Sequence, residues 1–353
     1  MLIEEPIQVL DPMEEFYSKK LYFSYSALKL LLWSPSLYKK KYIDKQQEDK
    51  TSANLMEGKV IHCLMLNNHE FENQFVVSPT SLPTGNSKYL VERVFNHYLE
   101  LSKEGDTRTQ LIEFQGAILD IMLDMNYHQS LTDDKKAGED GTVKTGDQKR
   151  IEKAVTPEAV SYFEYLKSKG TRDVIDQDMY NRCTEAAEIL LNSPNIRMLM
   201  GVDDYDDSLV VINEKEFRTD LSAYPFGLKG IIDNLVIDKK NKVVRVNDLK
   251  TTGKSITDFT DTVEFFQYWL QATTYCILVY RNYRELFDLE GYILEFRFIV
   301  IDNTQQVYAF PVSQSTLSQW TVRTEELLKD ADFHYSNKSF NLPVKYEKNL
   351  VVL

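Results

Sequence analysis

Asp233, Asp248 and Lys250 are the residues whose types and spacing most readily support chemistry. They fall in residues 228–237 (LKGIIDNLVI) and 242–250 (KVVRVNDLK), two runs rich in β-branched side chains, with Asp238-Lys-Lys-Asn241 between them as a turn. The expected element is a hairpin. Strand side chains alternate faces, so Val244, Val246, Asp248 and Lys250 share one side while Val243, Asn247 and Leu249 take the other. With Asp233 turned to the same side, two carboxylates can hold a divalent cation with an ammonium beside it. Magnesium takes oxygen ligands, keeps several waters, and is usually bound by one or two carboxylates plus substrate phosphate. Such a group is chemically adequate for phosphodiester cleavage. An Asp and a Lys two apart also describe a solvated face or a cross-strand ion pair, so the weight rests on what accompanies them.

A helical stretch over 261–281 follows, in which Gln267, Gln271 and Tyr275 recur at i, i+4 and i+8 along one stripe flanked by apolar residues. Upstream, Ser24 or Ser26 can cap a helix through Leu32, Pro35 can open another, and Thr51 or Ser52 precedes a helix carrying His62. His62 lies on one helical face with Gly58, Lys59 and Leu66. Taken alone, a histidine on an apolar helix reads as a packed core residue.

Four segments in order, Gly58-Lys-Val-Ile-His62, Gly230-Ile-Ile-Asp233, Asp248-Leu-Lys250 and Gln271-Ala-Thr-Thr-Tyr275, resemble the PD-(D/E)xK nucleases of the RecB-like group. Ser24-Tyr-Ser26-Ala-Leu, the run from Gly58 to Leu66 into Phe71-Glu-Asn-Gln-Phe75, and Asp248-Leu-Lys-Thr-Thr252 are similar to exonuclease VIII (RecE-like) and related phage-type members, over about residues 20 to 310. Ile232 stands where the family's naming proline would be.

The resemblance implies an α/β (α+β), restriction-endonuclease-like core with a central mixed β-sheet flanked by helices, and a Mg2+-dependent DNA exonuclease in which Mn2+ can substitute. It implies that Asp233, Asp248 and the Leu249 backbone carbonyl hold one metal and His62 a second, two ions about 3.5–4 Å apart serving an in-line displacement. Lys250 would orient the attacking water or assist its deprotonation, a role that asks for a pKa lowered by nearby cations. Gln271 and Tyr275 would position Lys250 or a phosphate. Glu216, on the preceding strand, is an additional candidate ligand, with an exposed edge-strand glutamate as the alternative. Ser26, Lys29 and Tyr42 are candidate nucleic-acid contacts. DNA recombination, replication or repair beside a single-strand annealing protein is the implied setting, with self-association a further expectation. A non-catalytic nucleic-acid-binding or DNA-mimicking module that kept the fold, and an endonuclease using the same residues, are the alternatives.

Composition sets outer limits. The 353 residues, 43% hydrophobic and 12% aromatic, describe a globular chain long enough for one elaborated domain or two. No apolar run approaches a membrane span and the acidic start carries no secretory pattern, so a reducing cytoplasm, the host's if phage-encoded, is expected. Cys63, Cys183 and Cys276 read as buried thiols. Three cysteines with none after Cys276 exclude the four-cysteine iron–sulfur cluster of some superfamily members. The net charge of −13 runs against simple DNA affinity, which comes mostly from Lys and Arg meeting phosphate. Yet acidic residues gather at Asp203-Asp-Tyr-Asp-Asp207, at Glu48-Asp49 and across 133–147, while Lys39-Lys-Lys41 and 229–254 are locally basic. His69, His97, His128 and His334 have no metal-ligand spacing and read as surface or loop residues.

Three segments are expected. Residues 1–79 form an N-terminal helical part of the core with His62. Residues 80–200 form a helical insertion, with helices over 88–102, 109–126, 156–169 and 177–192 and a mobile loop or DNA-ordered flap near 133–147. Residues 201–353 complete the core, with strands at 208–212, 216–223, the hairpin, 292–301 and 305–312, and a helix over 317–328.

Overall fold

The computed structural model describes residues 11–46, 52–136, 142–202, 207–348 and 351. Glu48, Asp49 and Thr51, residues 137–141 of the polar run and residues 203–206 of the acidic run lie outside that set. By number, the chain forms two compact units, residues 1–68 with 183–353, and residues 69–182.

A six-stranded sheet organises the first unit. Its strands are β1 (Tyr22–Phe23), β2 (Leu209–Asp220), β3 (Gly227–Asp238), β4 (Val243–Thr252), β5 (Ile293–Asp302) and β6 (Val307–Val312). The order is β1-β3-β4-β5-β6, with β2 on the other edge of β3. β2, β3 and β4 run antiparallel in sequence, β4 and β5 are parallel, and β5 and β6 antiparallel, so the sheet is mixed. Every residue from Ile232 to Asp238 is buried, as a strand covered on both faces requires. The two strands expected at 208–212 and 216–223 are one strand. Their polar centre, Asn213-Glu214-Lys215, reads as a break, yet Asn213 still faces Asn234 and Lys215 faces Ile232.

The helices that bear on the site are α1 (Tyr25–Trp33), α2 (Ala53–Leu66), α3 (Pro194–Met200), α4 (Phe259–Phe265), α5 (Tyr268–Asn282) and α6 (Gln314–Asn337). Ser24 caps α1 by accepting from the Ala27 N–H, and Ser52 caps α2 by accepting from the Leu55 N–H. The helix expected over 261–281 is two helices, because Gln267 takes the left-handed conformation (φ 56°, ψ 39°) between α4 and α5. The parallel step from β4 to β5 passes through α4 and α5, which lays α5 on the sheet. Leu28, Leu31, Leu235, Val246, Trp269, Leu270, Leu278 and Phe298 form the apolar core there. Truncating one such leucine costs about 2–5 kcal/mol.

His334 is fully buried near the end of α6, where its Nδ1 lies 2.7 Å from the Ser339 carbonyl, and is not a surface residue. Cys63 and Cys183 are buried free thiols, and Cys276 is partly buried.

In the second unit, Leu90, Val94, Phe114, Ile118, Met122, Ile151 and Phe163 close a helical core. Helices Gly85–Lys103, Gln115–Asp124, Gly146–Ala154 and Pro157–Lys169 supply it. Strands Phe75–Val77 and Asp173–Ile175 pair in parallel and tie its entry to its exit. The boundaries of this unit fall at 68/69 and 182/183, because α3 packs on the sheet: the Met200 carbonyl accepts from Asn234 and the Leu199 carbonyl from Asn247.

Candidate active site

The β3–β4 ladder ends at the Asn234–Asn247 pair. One rung further stand Asp233 and Asp248, where the strands part and Asp233 Oδ2 instead accepts from the Leu249 N–H at 2.8 Å. On its other edge β3 meets Glu214 at the same rung. The Asn213–Asn234 and Lys215–Ile232 pairs flank that position, and Glu214 has a left-handed backbone (φ 45°). Three strands therefore carry an acid at one rung, and β3 is unpaired on both sides there.

Asp248 is fully buried and Asp233 nearly so. Lys250 Nζ lies 2.5 Å from Asp248 Oδ2, although that oxygen has no hydrogen bond of good geometry. Gln271 Nε2 donates to Asp248 Oδ1 at 2.9 Å and to the Tyr275 hydroxyl oxygen at 3.0 Å. The i, i+4 spacing on α5 thus builds a bracket for one carboxylate, while Gln267, in the break before the helix, is not on the stripe. Gly230 makes room for it: a Cβ there would sit 2.9 Å from the Tyr275 ring. Gly58 does the same for α2, where a Cβ would sit 3.3 Å from the Thr251 hydroxyl.

His62 Nε2 is 2.9 Å from the Leu249 carbonyl oxygen, and Nδ1 is 3.8 Å from Asp233 Oδ2. Burial, with help from Lys250, lowers the imidazole pKa, so the ring is neutral near pH 7. A neutral ring has one proton for two oxygen neighbours. One nitrogen lone pair therefore faces an oxygen in either tautomer.

Burial pushes the carboxyls of Asp233 and Asp248 up to about 6, against the opposing pull of Lys250. Lys250 is held between opposing effects. Burial pulls its pKa down, but Asp248, Asp233 and Tyr268 together outweigh burial and the net shift is upward. Its nearest charges are carboxylates rather than cations, so the ammonium is held protonated.

The donor chemistry fits a hard divalent cation: two buried carboxylates at a fork, a backbone carbonyl, and an imidazole short of a proton. The 2.9 Å between His62 Nε2 and the Leu249 oxygen is a hydrogen-bond distance, which holds that carbonyl in place beside the carboxylates. Among the described residues no three His, Cys, Asp or Glu side chains form a metal-binding set. His62 turns Nε2 to the Leu249 carbonyl, and Asp248 faces Lys250. Two carboxylates and a carbonyl with water and phosphate completing the shell suit magnesium better than a closed cage.

The structure does not bring Glu216 to the Asp233 rung. It stands at the Ile231 rung, about half exposed, with Arg218 Nε 2.5 Å away. Glu214 is the acid that strand alternation conceals, its carboxylate accepting from Asn67 Nδ2 at 2.5 Å. Three Asn/acid doublets, Asn213-Glu214, Asp233-Asn234 and Asn247-Asp248, set within β-branched runs were the available signal. Ser26 Oγ lies 3.2 Å from Ser24 Oγ, Lys29 Nζ donates to the Phe266 carbonyl at 2.8 Å, and Tyr42 packs on Tyr38 with ring centroids 5.0 Å apart.

A mixed sheet flanked by helices, an acid pair at a strand fork, and a lysine two residues beyond it define a nuclease-type scaffold. The sequence pattern of the PD-(D/E)XK nuclease superfamily matches residues 22–335, and the chain belongs to that superfamily. A solved structure similar to this chain is the crystal structure titled "Putative exonuclease" from Eubacterium rectale. It is 12% identical, with a TM-score of 0.42, over 92% of this chain and 86% of that one. No curated protein matches the sequence. No helix among the described residues is long and apolar enough to cross a membrane.

Proposed function

We propose that this chain is a divalent-metal-dependent deoxyribonuclease, Mg2+ being the natural ion, that hydrolyses phosphodiester bonds as an exonuclease. The observation that carries the reading is the rung at which the β3–β4 ladder opens, with Asp233 and Asp248 buried and Lys250 against Asp248. Burying two carboxylates and an amine costs several kcal/mol unless they are paired or bind a metal. A DNA mimic has no use for a lysine inside such a cluster.

Asp233, Asp248 and the Leu249 carbonyl would hold the ion, which when bound supplies Lewis acidity toward the phosphate and a more acidic water. His62 fixes the Leu249 carbonyl. Gln271 fixes one oxygen of Asp248 and leaves the other turned to Lys250, and Tyr275 supports the Gln271 amide. Lys250, kept protonated, orients the attacking water and offers positive charge where phosphate charge develops in an in-line displacement. It is not cast as the base. The superfamily's chemistry supports DNA as substrate. Exonuclease action, a place in recombination or repair beside a single-strand annealing protein, and a cytoplasmic setting rest on the similarity of the motif series to exonuclease VIII.

The test is end-labelled linear DNA against covalently closed circular DNA, with magnesium, for the native protein and Lys250→Ala. Loss of linear DNA alone, abolished by the substitution, is the expected result. Cleavage of circles would reassign the chain as an endonuclease, and equal action of both proteins would remove Lys250 from the chemistry.

A further inference from the structure

Tyr268, whose ring centroid lies 4.9 Å from Lys250 Nζ, begins an aromatic path that leaves the acid cluster. Its ring is tilted 27° to Phe266 at 5.5 Å, and Phe266 meets Phe265 edge to face at 4.9 Å. Phe265 is 73% exposed and Phe266 39% exposed. The inner end is fixed, since Tyr268 also packs on Phe259 and Phe298 of the core.

The exposed pair sits at the break between α4 and α5. Gln267, a non-glycine residue in the left-handed region, is strained and persists only where its surroundings hold it. Two groups of α1 do so: the Tyr25 hydroxyl and the Lys29 ammonium both donate to the Phe266 carbonyl, at 2.5 and 2.8 Å. Cations flank the rings. Lys29 Nζ is 5.4 Å from the Phe266 centroid and Lys254 Nζ is 5.7 Å from that of Phe265. A rigid aromatic step bordered by ammonium groups and continuous with the catalytic lysine matches the chemistry of single-strand recognition, in which bases stack on rings while phosphates meet cations.

We infer that Phe265 and Phe266 form a stacking platform for an unpaired nucleobase of the strand whose phosphate reaches Lys250, with Lys29 and Lys254 facing the neighbouring phosphates. The inference rests on the nuclease reading for its choice of ligand. An unpaired base is specified because a paired one inside a duplex has both faces covered.

The experiment measures fluorescence anisotropy of labelled oligothymidine, and of an abasic strand of equal length, in EDTA at low ionic strength. Stacking is worth about 1–3 kcal/mol per base, so the native protein is expected to prefer oligothymidine by roughly 5- to 150-fold. Phe265→Ala should erase most of that preference with little change toward the abasic strand, and Phe265→Trp should restore it. Because Phe265 is largely exposed, the alanine variant is expected to melt with the native protein, and melting curves check this. Equal binding of both strands by the native protein, an undiminished preference in Phe265→Ala, or no binding of either strand would overturn the inference. None of these measurements requires hydrolysis, so the nuclease reading is judged separately by the Lys250→Ala cleavage assay.

Discussion

The two faces of β2, β3 and β4 treat adjacent polar residues in opposite ways. On one face Asn247 Nδ2 donates to Asn234 Oδ1 at 2.7 Å, Asn234 to Asn213 Oδ1 at 2.8 Å, and Asn213 to the Leu66 carbonyl at 3.1 Å. This amide ladder also reaches the Leu199 and Met200 carbonyls at the end of α3. On the other face, one residue along β3 and β4, stand Asp233 and Asp248, where the backbone ladder opens and Glu214 of β2 falls at the same rung. The asparagines spend their hydrogen bonds holding three strands in register. The acids have too few partners, and burial drives two of them toward protonation. The hydrogen-bonded ladder lies directly behind the proposed site, so the face that gives register is separate from the face proposed to do chemistry.

The largest expected effect breaks the quiet face. Asn234→Ala removes a partner from the amide groups of Asn213 and Asn247 and from the Met200 carbonyl, each worth about 1–3 kcal/mol when buried unpaired. A loss of roughly 2–5 kcal/mol is expected, read as a fall in Tm of order 5–15 °C. An unchanged Tm would show that the ladder does not fix the register.

Asp233→Asn should act in the reverse direction. A carboxyl raised from 3.8 to about 6 contributes stability that is present below about pH 4 and lost as pH rises through about 6. Asparagine does not titrate and can still accept from the Leu249 N–H. In EDTA the variant should therefore melt with the native protein near pH 4 and above it at pH 8, by about 3 kcal/mol. A gap that is constant with pH, or reversed, contradicts the burial of that charge.

Gln271→Ala sharpens the comparison more gently. It frees Asp248 Oδ1 without altering any acid, and an outer partner of this kind is worth about 10- to 100-fold in ion affinity or turnover. The loss should appear in kcat and in Mn2+ affinity, with a far smaller change in DNA binding. Smallest of all is the contrast of the two glutamates. Glu214→Gln should weaken Mn2+ binding a few-fold through the loss of a negative charge at the Asp233 rung, whereas Glu216→Gln should change it by less than twofold. Equal effects would place the acids differently from the register described.

Much of this was legible in the sequence because period-two alternation and β-branched runs are local signals. They gave the hairpin, the shared side of Asp248 and Lys250, and the capped helix under His62. What required coordinates was register. The pairing of β2 with β3 decides that Glu214, not Glu216, stands at the Asp233 rung, and nothing within β2 alone shows which residue of β3 it will face. The break at Gln267 was concealed because Phe-Phe-Gln-Tyr-Trp has no glycine or proline and its left-handed turn is held by Tyr25 and Lys29, about 240 positions away. The helix Gly146–Ala154 did announce itself, since Thr145 and Gln148 form a capping box, but the surrounding run of charges read as loop. For Lys250 the sequence did not show that Asp248 and Asp233 would be its close neighbours, which without a bound cation raise its pKa.

The central claim is that Asp233 and Asp248 converge at the open rung to hold a divalent cation beside Lys250. Calorimetric titration of Mn2+ into the native protein at pH 8 without DNA, repeated with Asp233→Asn and Asp248→Asn, tests it most directly. Binding by the native protein, weakened at least tenfold or lost in each variant while both remain folded, is the result expected. Absence of binding by the native protein, or unchanged binding by either variant, would contradict it.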